Sequence, residues 1–453
     1  MDSTEQGHKR GLLVRFVDAL GLLNTIRASS DVHWLMLAKL LRMVAFGQVA
    51  LILALYFKAI GLTEQQAGIF MGLTLAGDVV ISLLVSVVAD HIGRRTVLRI
   101  GSLMMAASGL VFAVTENFYL LLFASIIGVI SPSGVEVGPF RAIEESSLAH
   151  LSPMEQRSDI YAWYTMLGAL GGALGSMSGG WIIELSQSWY NLDVVQSYKL
   201  VFFSYMILGL LKWISNLFLS AGVELEKEPN TEREPLLGGN NNTESNSKSK
   251  FSIRALLPAI SPESQRIVIM LTILFAVDSF GSSLGSITWI SFYVKQKFNV
   301  TEGILGSIFF TTTVVAAFAS LGGSLISKKI GPLLTMVVTH LPSSALIAFI
   351  PLPKTLLPTL AILVARACTQ NMDVAPRQAF LSAVVLNNER TAVMAWVNVV
   401  KTIAQMFGPW LVGTLAGQGR QWICFVLGGF LKVSYDLGIF AFFMKVSLDR
   451  DHS

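Results

Sequence analysis

The chain has 453 residues, of which 53% are hydrophobic and only 14% are charged, and its mean hydropathy is +0.61. A soluble protein of this length carries far more charge, so the composition excludes a soluble globular protein and indicates a polytopic membrane protein. The net charge of +4 could favour a nucleic-acid partner, but the basic residues lie in loops that alternate along the chain rather than in one patch. We therefore expect no nucleic-acid binding.

Residues 1–32 form a polar N-terminal segment that contains one amphipathic stretch. Within residues 11–27, apolar side chains fall broadly on one helical face: Leu12, Leu13, Phe16, Val17, Leu20 and Leu23. This pattern predicts an interfacial helix that lies on the membrane before the first span, and a disordered tail is the alternative. We expect no secretory signal peptide, because no clean hydrophobic stretch precedes a small-residue cleavage site.

About twelve apolar stretches of membrane-spanning length follow, which predicts an all-α polytopic fold. Their expected bounds are 34–58, 66–89, 96–115, 118–141, 159–184, 198–221, 266–294, 303–327, 332–351, 355–377, 391–416 and 421–445. The loops on the side of the N-terminus hold most of the basic residues: Arg94, Arg95, Arg99, Arg157, Lys227, Arg254, Lys328, Lys329 and Arg390. Because basic loops stay in the cytoplasm, both termini are predicted to be cytoplasmic.

A short basic hairpin, residues 87–95, joins the second and third spans. Gly93 permits a tight reversal, Arg94 and Arg95 favour the cytoplasmic side, and Asp90 is a carboxylate at the membrane boundary that needs a partner. The sequence here resembles the signature loop of the major facilitator superfamily, and an ordinary basic hairpin is the alternative. The resemblance implies two six-helix bundles, a cavity lined by helices 1, 4, 7 and 10, and an outward-facing state that Asp90 stabilises.

The two halves of the chain repeat four features in the same order, as a duplicated bundle would. Asp90-His91-Ile92-Gly93 matches Lys328-Lys329-Ile330-Gly331, Glu136-Val137-Gly138-Pro139 matches Asp373-Val374-Ala375-Pro376, Arg157 and Trp163 match Arg390 and Trp396, and Leu211-Lys212 matches Leu431-Lys432. We therefore predict bundles over residues 33–221 and 266–446, followed by a short tail over residues 447–453. Lys212 and Lys432 are interpreted as structural, the latter with Asp436 four residues on.

The stretch between the bundles, residues 222–265, is charged and rich in Asn and Ser, which predicts a disordered cytoplasmic linker. Within it, Glu232, Leu236 and Leu237 fit an acidic dileucine signal for sorting adaptors, a short motif that also occurs by chance. Asn299 begins an Asn-Val-Thr sequon on the opposite side of the membrane and is a candidate glycosylation site.

Ionisable residues inside the spans are the candidates for substrate binding and coupling, because burying charge in a membrane is costly. They are Arg42, Asp78, Asp278 and Lys401. Snorkelling is the alternative for Arg42, and a structural ion pair, such as Asp278 with Lys401, is the alternative for the others. A coupling carboxylate must lie deep in the bilayer without a permanent cation beside it. Asp278 is the first choice and Asp78 the second.

Two carboxylates, Glu136 and Asp373, each precede a proline by three residues and have an arginine one turn away. The arginines are Arg141 and Arg377, and the depth of both pairs in the cytoplasmic third favours a gate over a substrate site. Glu144 and Glu145 continue the first of these patches and are expected to face solvent.

The scattered histidines have no metal-ligand spacing, and neither a phosphate-binding loop nor a nucleophile elbow is present in the sequence, so we expect no metal, cofactor or enzymatic activity. The resemblance and the paired polar residues predict a secondary active transporter for a small organic solute, coupled to protons. A uniporter, or a membrane sensor with the same fold that does not transport, is the alternative. The plasma membrane and a vacuolar or endosomal membrane are the candidate locations.

Overall fold

The computed structural model describes residues 22–128, 130, 139–224, 262–385 and 389–451. The helices of its first half are α1 (Leu22–Ile26), α2 (Ser30–Ala59), α3 (Glu64–Ile92), α4 (Arg94–Val114), α5 (Phe118–Ile127), α6 (Pro139–Leu151), α7 (Met154–Tyr190) and α8 (Val194–Leu217), with a short 3₁₀ turn over Ala221–Val223. Those of its second half are α9 (Pro262–Leu284), α10 (Ile287–Phe298), α11 (Glu302–Ile330), α12 (Pro332–Phe349), α13 (Leu356–Ala367), α14 (Val374–Val384), α15 (Arg390–Gly417) and α16 (Trp422–Asp451).

These helices form twelve passes, six in each half, which confirms the predicted all-α polytopic fold. Among the described residues, eight helical stretches are long and apolar enough to cross a membrane by themselves. Since the number of passes is even, α2 begins and α16 ends on the same side of the bilayer. We call this the terminal side and the other the far side.

The seventh and tenth passes are each built from two helices, where continuous spans were expected, and the described parts of the fourth pass are α5 and α6. The seventh pass is interrupted at Gly285 and Ser286, and the tenth unwinds into turns between Ala367 and Val374. In the tenth pass, Pro376 falls in the first turn of α14, where its missing N–H group leaves no helical hydrogen bond unmade. Irregular backbone at membrane depth is tolerated where it lines a cavity or lies within protein, so we expect these breaks to lie at a cavity or inside the protein.

The buried apolar side chains form three clusters, and their distribution shows how the halves meet. One cluster contains residues of both halves, among them Tyr56, Phe202, Trp289 and Phe425. A second cluster contains only first-half residues, within 32–223, and a third only second-half residues. The shared cluster is formed by the far-side portions of the passes, whereas the two separate clusters lie toward the terminal side. The halves are therefore packed together on the far side and separate on the terminal side.

Close backbone contacts and hydrogen bonds hold the far side shut. Gly180 of α7 approaches α11 so closely that a Cβ atom there would lie 2.2 Å from the carbonyl oxygen of Glu302. Between α10 and α2, the Thr288 hydroxyl donates to the carbonyl oxygen of Ala50 at 2.8 Å. Small residues permit such approach between membrane helices, and each contact crosses the boundary between the halves.

Candidate functional site

The first half contains a buried ion network centred on Glu144 of α6, whose side chain is fully inaccessible to solvent. Its Oε2 atom accepts hydrogen bonds from Arg42 Nη2 of α2 at 2.5 Å and from the Tyr164 hydroxyl of α7 at 2.6 Å. Lys212 Nζ of α8 lies 3.2 Å from Oε1. The expectation that Glu144 faces solvent is wrong, because α6 continues to Leu151 and turns this side chain into the bundle.

The second half contains a buried network centred on Asp278 of α9. Lys432 Nζ of α16 donates to Asp278 Oδ1 at 2.7 Å and to the Ser282 hydroxyl at 2.6 Å. Arg377 Nη1 of α14 lies 3.7 Å from Asp278 Oδ2, and His340 Nε2 of α12 lies 3.9 Å from Oδ1. Residues from four passes thus meet at one carboxylate.

Two further carboxylates extend this second network. Asp373, fully buried at the start of α14, forms an ion pair with Arg377 one turn later. Asp436 of α16 is also fully buried, and its oxygens contact His340 Nδ1 at 2.7 Å and the Ser344 hydroxyl at 3.0 Å. Although Asp436 lies one turn after Lys432, the ammonium group of Lys432 donates to Asp278, and Asp436 is bound from α12.

The alternative interpretation of the sequence paired Asp278 with Lys401 of α15, but the two side chains do not form an ion pair in this structure. Its ammonium group lies 5.5 Å from the centre of the Phe275 ring of α9, a cation–π contact. Among the described residues no carboxylate lies within salt-bridge distance of it. Lys401 therefore borders the second network without joining it.

Asp78 of α3 differs from the other carboxylates of the interior. Its side chain is fully buried, and neither carboxylate oxygen has a hydrogen-bond partner among the residues the structure describes. The side chain of Tyr205, on α8, lies within electrostatic range of both Asp78 and Arg42. Asp78 is thus a buried acid that the described part of the chain leaves unpaired.

The predicted gate residues fall into two groups. At the hairpin, Gly93 has φ +93° and directly precedes α4. The first two backbone N–H groups of α4, those of Arg94 and Arg95, donate hydrogen bonds to the Glu224 carboxylate at 2.7 and 3.0 Å. Glu224 follows the sixth pass, so this carboxylate caps the helix N-terminus with favourable charge. The Asp90 side chain lies outside the described residues.

The remaining predicted positions are spread over the surface or are not described. Arg141 forms an exposed ion pair of 2.7 Å with Glu145, and Asn299 is exposed in a left-handed turn after α10. Glu136 and the dileucine residues Glu232, Leu236 and Leu237 lie outside the described residues. Where the residues are described, they include no group of three or more His, Cys, Asp or Glu side chains arranged to hold a metal ion.

A third polar group, which the sequence did not reveal, joins the halves on the far side. Glu302 at the start of α11 contacts Lys295 Nζ of α10 at 2.8 Å and accepts a hydrogen bond from the Tyr198 hydroxyl of α8 at 2.9 Å. Glu184 of α7 accepts a hydrogen bond from the Thr301 hydroxyl at 2.7 Å. The hydrogen bonds of Tyr198 with Glu302 and of Thr301 with Glu184 cross between the halves, so opening the far side requires that they break.

Two helical bundles with buried ion networks, joined on one side and apart on the other, define a transporter-like membrane protein. The sequence model of the Major Facilitator Superfamily matches residues 35–409, and this chain belongs to that family. It is consequently an integral, multi-pass membrane protein of a family of transporters.

Individual relatives agree with this membership. The chain is 36% identical to an uncharacterized membrane protein of Saccharomyces cerevisiae, YJR124C, over 92% of this chain and 95% of that protein. It is 26% identical to the quinolone resistance protein NorA of Staphylococcus aureus, over 39% of this chain and 41% of NorA. Among solved structures, a D-xylose–proton symporter matches with a TM-score of 0.67 and 16% identity, covering 91% of this chain and 98% of that one, which is a likeness of fold.

Proposed function

We propose that this protein is a secondary active transporter that moves a small organic solute by alternating access and couples the movement to protons. The observation that carries the proposal is Asp78, a fully buried carboxylate with no hydrogen-bond partner among the described residues. Ionisable groups inside membranes are costly, and they mark ion and proton pathways. The name of the relative NorA refers to quinolone resistance, and the name of the D-xylose–proton symporter refers to proton-coupled sugar transport.

The arrangement of the halves supports alternating access. Their shared apolar cluster lies on the far side, while toward the terminal side each half keeps a cluster of its own. A solute could therefore enter between the halves from the terminal side only. Transport requires a second state in which the contacts of Gly180, Glu302 and Thr288 open and the terminal side closes.

Asp78 is a better candidate for the proton site than Asp278, although the sequence favoured Asp278. The ammonium group of Lys432 lies 2.7 Å from Asp278, so the charged form of that carboxylate is stabilised. Asp78 lies about 21 Å along α3 from Glu64, well inside the bilayer, where a charge without a partner is costly. Proton binding would neutralise Asp78, and the resulting change in solvation cost would bias one access state over the other.

The remaining candidates are assigned roles that follow their positions. Arg42 and Lys401 would face the solute cavity, since each lies on a pass next to the space between the halves. Asp373 with Arg377 and Glu136 with Arg141 would form gates toward the terminal side, and the hairpin residues Asp90, Gly93, Arg94 and Arg95 would favour one access state. Asp90→Ala is then expected to shift the protein toward the state open on the terminal side.

A uniporter and a non-transporting sensor remain the competing functions. A uniporter needs the two access states but no proton site, whereas a sensor needs a ligand site but no complete passage. Asp78 favours the coupled transporter over both, because neither alternative accounts for a buried acid that has no partner among the described residues.

The topology and location follow from loop charge. Because basic loops stay in the cytoplasm, the basic residues on the terminal side favour a cytoplasmic position for both termini. The structure would then be open to the cytoplasm. Either the plasma membrane or a vacuolar or endosomal membrane would then be the site of action, with Glu232, Leu236 and Leu237 available to sorting adaptors. Asn299, exposed on the far side, would be open to glycosylation in that topology.

The function is tested by flux into vesicles that contain the purified protein. Vesicles with and without an imposed pH gradient are incubated with a defined mixture of metabolites, and their contents are identified by mass spectrometry. We expect at least one small organic solute to accumulate only with the gradient and to leave when a protonophore is added. Equal entry with and without the gradient would indicate a uniporter, and no entry relative to protein-free vesicles would indicate a sensor.

Alternating access is tested separately with a native reporter thiol. Cys424 is fully buried in the shared far-side cluster, whereas Cys368 is exposed and can be replaced by Ser. Gly180→Ala places a Cβ against backbone of α11, and overpacking of this kind costs about 1–3 kcal/mol, so maleimide labelling of Cys424 should rise roughly 5- to 100-fold. Gly172→Ala is the matched control, because its Cβ would meet only Met43 Cε at 3.9 Å. Equal labelling in both variants would argue against a far side that opens.

A further inference from the structure

Each half joins its third pass to its sixth pass through a pair of buried polar side chains. In the first half, Asn216 Nδ2 of α8 donates a hydrogen bond to the Ser102 hydroxyl of α4 at 2.8 Å. In the second half, His340 Nδ1 of α12 contacts Asp436 Oδ1 of α16 at 2.7 Å. All four side chains are buried, so each pair holds two passes together away from solvent.

The two pairs occupy equivalent places in the repeat. The members on α4 and α12 lie nine positions after the glycine with positive φ that precedes each helix, Gly93 or Gly331. The members on α8 and α16 lie four positions after the lysine that contacts the central carboxylate of each half, Lys212 or Lys432. The same place therefore holds a neutral pair in the first half and an ionisable pair in the second.

The second ring nitrogen of His340 faces the ion network of the second half. A carboxylate oxygen accepts hydrogen bonds, so the hydrogen of the neutral imidazole is assigned to Nδ1, where it points at Asp436. Nε2 then carries a lone pair, and it lies 3.9 Å from Asp278 Oδ1. A proton from solution that bonds to this lone pair would place an imidazolium group between two carboxylates, with an N–H group directed at each.

Two permanent cations already contact Asp278. Lys432 Nζ donates to Oδ1, the oxygen that faces His340, at 2.7 Å, and Arg377 Nη1 lies 3.7 Å from Oδ2. A proton on Nε2 of His340 would therefore add a third cation and compete with Lys432 for the same oxygen. The Arg377 side chain keeps 16% of its surface exposed, so the cluster has an accessible edge.

The other elements around α12 add few polar contacts. The Tyr435 ring of α16 meets the imidazole edge-on at 5.9 Å, and the Ser344 hydroxyl donates to Asp436 Oδ2 at 3.0 Å. The ammonium group of Lys401 on α15 lies over an aromatic ring at the border of the network. Among the described residues, no side chain of α11 or α13 forms an ion pair or a hydrogen bond with His340.

We infer that His340 is a proton-binding site of the second half, and that its ligand is one proton bound at Nε2 between Asp436 and Asp278. Histidine is the side chain that gains or loses a proton near neutral pH. Proton binding ties α12 to α9 and loosens the hold of Lys432 on Asp278, whereas the neutral pair of the first half cannot respond. The site lies in the other half from Asp78, and it does not depend on the proposed transport function.

The test is nitrogen-15 NMR of the purified full-length protein in detergent, with labelled histidine, from about pH 5 to pH 8. The chain has six histidines, so subtracting the spectrum of His340→Gln identifies the signals. Replacing the other five gives the same assignment if that variant does not fold. We expect the tautomer with hydrogen on Nδ1 near pH 8 and the imidazolium near pH 5. A ring that stays neutral, or stays protonated, over the whole range would overturn the inference.

Substitutions around His340 show which charges hold the proton. Asp278→Asn and Asp436→Asn should each weaken proton binding about 10-fold or more, and Lys432→Met should strengthen it to a similar extent, because neighbouring charges change proton affinity by this amount. Lys212→Met, the corresponding change in the first half, is the matched control and should leave the affinity unchanged. If Asp278→Asn and Lys432→Met also leave it unchanged, Nε2 is not the proton site and the inference fails.

The effect on the ion network is measured by the coupling between Lys432→Met and Asp278→Asn in thermal unfolding. We expect this coupling to be smaller near pH 5 than near pH 8, because a proton on His340 competes with Lys432 for Asp278. The coupling between Lys212→Met and Glu144→Gln is the control, since the first half has no histidine at this place, and it should be equal at both pH values. A second-half coupling that is equally independent of pH would contradict the competition.

Discussion

The two halves place opposite charges on corresponding passes. In the first half, the buried carboxylate Glu144 belongs to the fourth pass, and the arginine that contacts it, Arg42, belongs to the first. In the second half, the carboxylate Asp278 belongs to the first pass of that half, and the nearby arginine, Arg377, belongs to the fourth. Carboxylate and arginine have therefore exchanged passes between the halves.

The lysine of the last pass does not change place. Lys212 lies 3.2 Å from Glu144, and Lys432 lies 2.7 Å from Asp278. In each half this lysine reaches whichever pass carries the carboxylate, so each buried carboxylate contacts an arginine and a lysine from two other passes. The identity of the helix that supplies each charge is free to differ.

The halves also differ in how many buried carboxylates contact the buried arginine and lysine. In the first half Arg42 and Lys212 both contact Glu144, whereas in the second half Asp373 binds Arg377 even if Asp278 is lost. Removing one partner of a buried ion pair leaves an uncompensated charge, at a cost of about 3–5 kcal/mol. Since two cations contact Glu144, whereas Asp278 shares Arg377 with Asp373, we expect the loss of Glu144 to cost more than the loss of Asp278.

The largest expected effect is the loss of Glu144. We predict that Glu144→Gln destabilises the protein by about 3–5 kcal/mol, because Arg42 and Lys212 both lose their contact with this buried carboxylate, and that Asp278→Asn costs less, because Arg377 keeps Asp373. Thermal unfolding in detergent at one pH and salt concentration measures both. A greater loss from Asp278→Asn than from Glu144→Gln would contradict the proposed difference between the networks.

An intermediate effect is expected from paired substitutions. Lys432→Met alone should cost about 3 kcal/mol, but much less in an Asp278→Asn background, since no charge is then left unpaired at that centre. The corresponding change, Lys212→Met in a Glu144→Gln background, should give less rescue, because the contact of Arg42 with Glu144 is lost as well. Unfolding temperatures of the single and double variants measure this, and equal rescue in the two halves would show that the networks are equivalent.

The smallest expected effect concerns Arg141, a sequence-predicted gate residue. Its exposed pair with Glu145, one helical turn away, is of a kind worth about 0.3–0.5 kcal/mol, so Arg141→Gln should scarcely alter the unfolding temperature. A changed transport rate at unchanged stability would support its gate role. A large loss of stability would show that Arg141 belongs to the buried first network.

The sequence predicted the passes well where length and apolar composition decide them. The expected spans 198–221 and 303–327 correspond to α8 (Val194–Leu217) and α11 (Glu302–Ile330). It missed Glu144 because the apolar run ends before the helix does. The four-residue spacing of Phe140, Glu144 and Leu148 was the available signal, since it places the carboxylate on a face whose neighbours are buried.

Partner choice could not be predicted from local spacing. Asp436 lies one turn from Lys432, yet His340 and Ser344 of α12 bind it, and Lys432 contacts Asp278 instead. Contacts between passes depend on the crossing of helices that are distant in sequence. The same reason explains why only the fold could show that Asp78 has no hydrogen-bond partner among the described residues.

Proton coupling through Asp78 is tested most directly by comparing Asp78→Asn with the native protein in vesicles, using a solute found in the flux screen. The account predicts that Asp78→Asn still exchanges labelled solute across the membrane but no longer accumulates it when a pH gradient is imposed. Glu116→Gln, which alters an exposed carboxylate paired with Lys199 on the far side, is the matched control and should accumulate solute normally. Undiminished accumulation by Asp78→Asn would contradict the account and return Asp278 to first place.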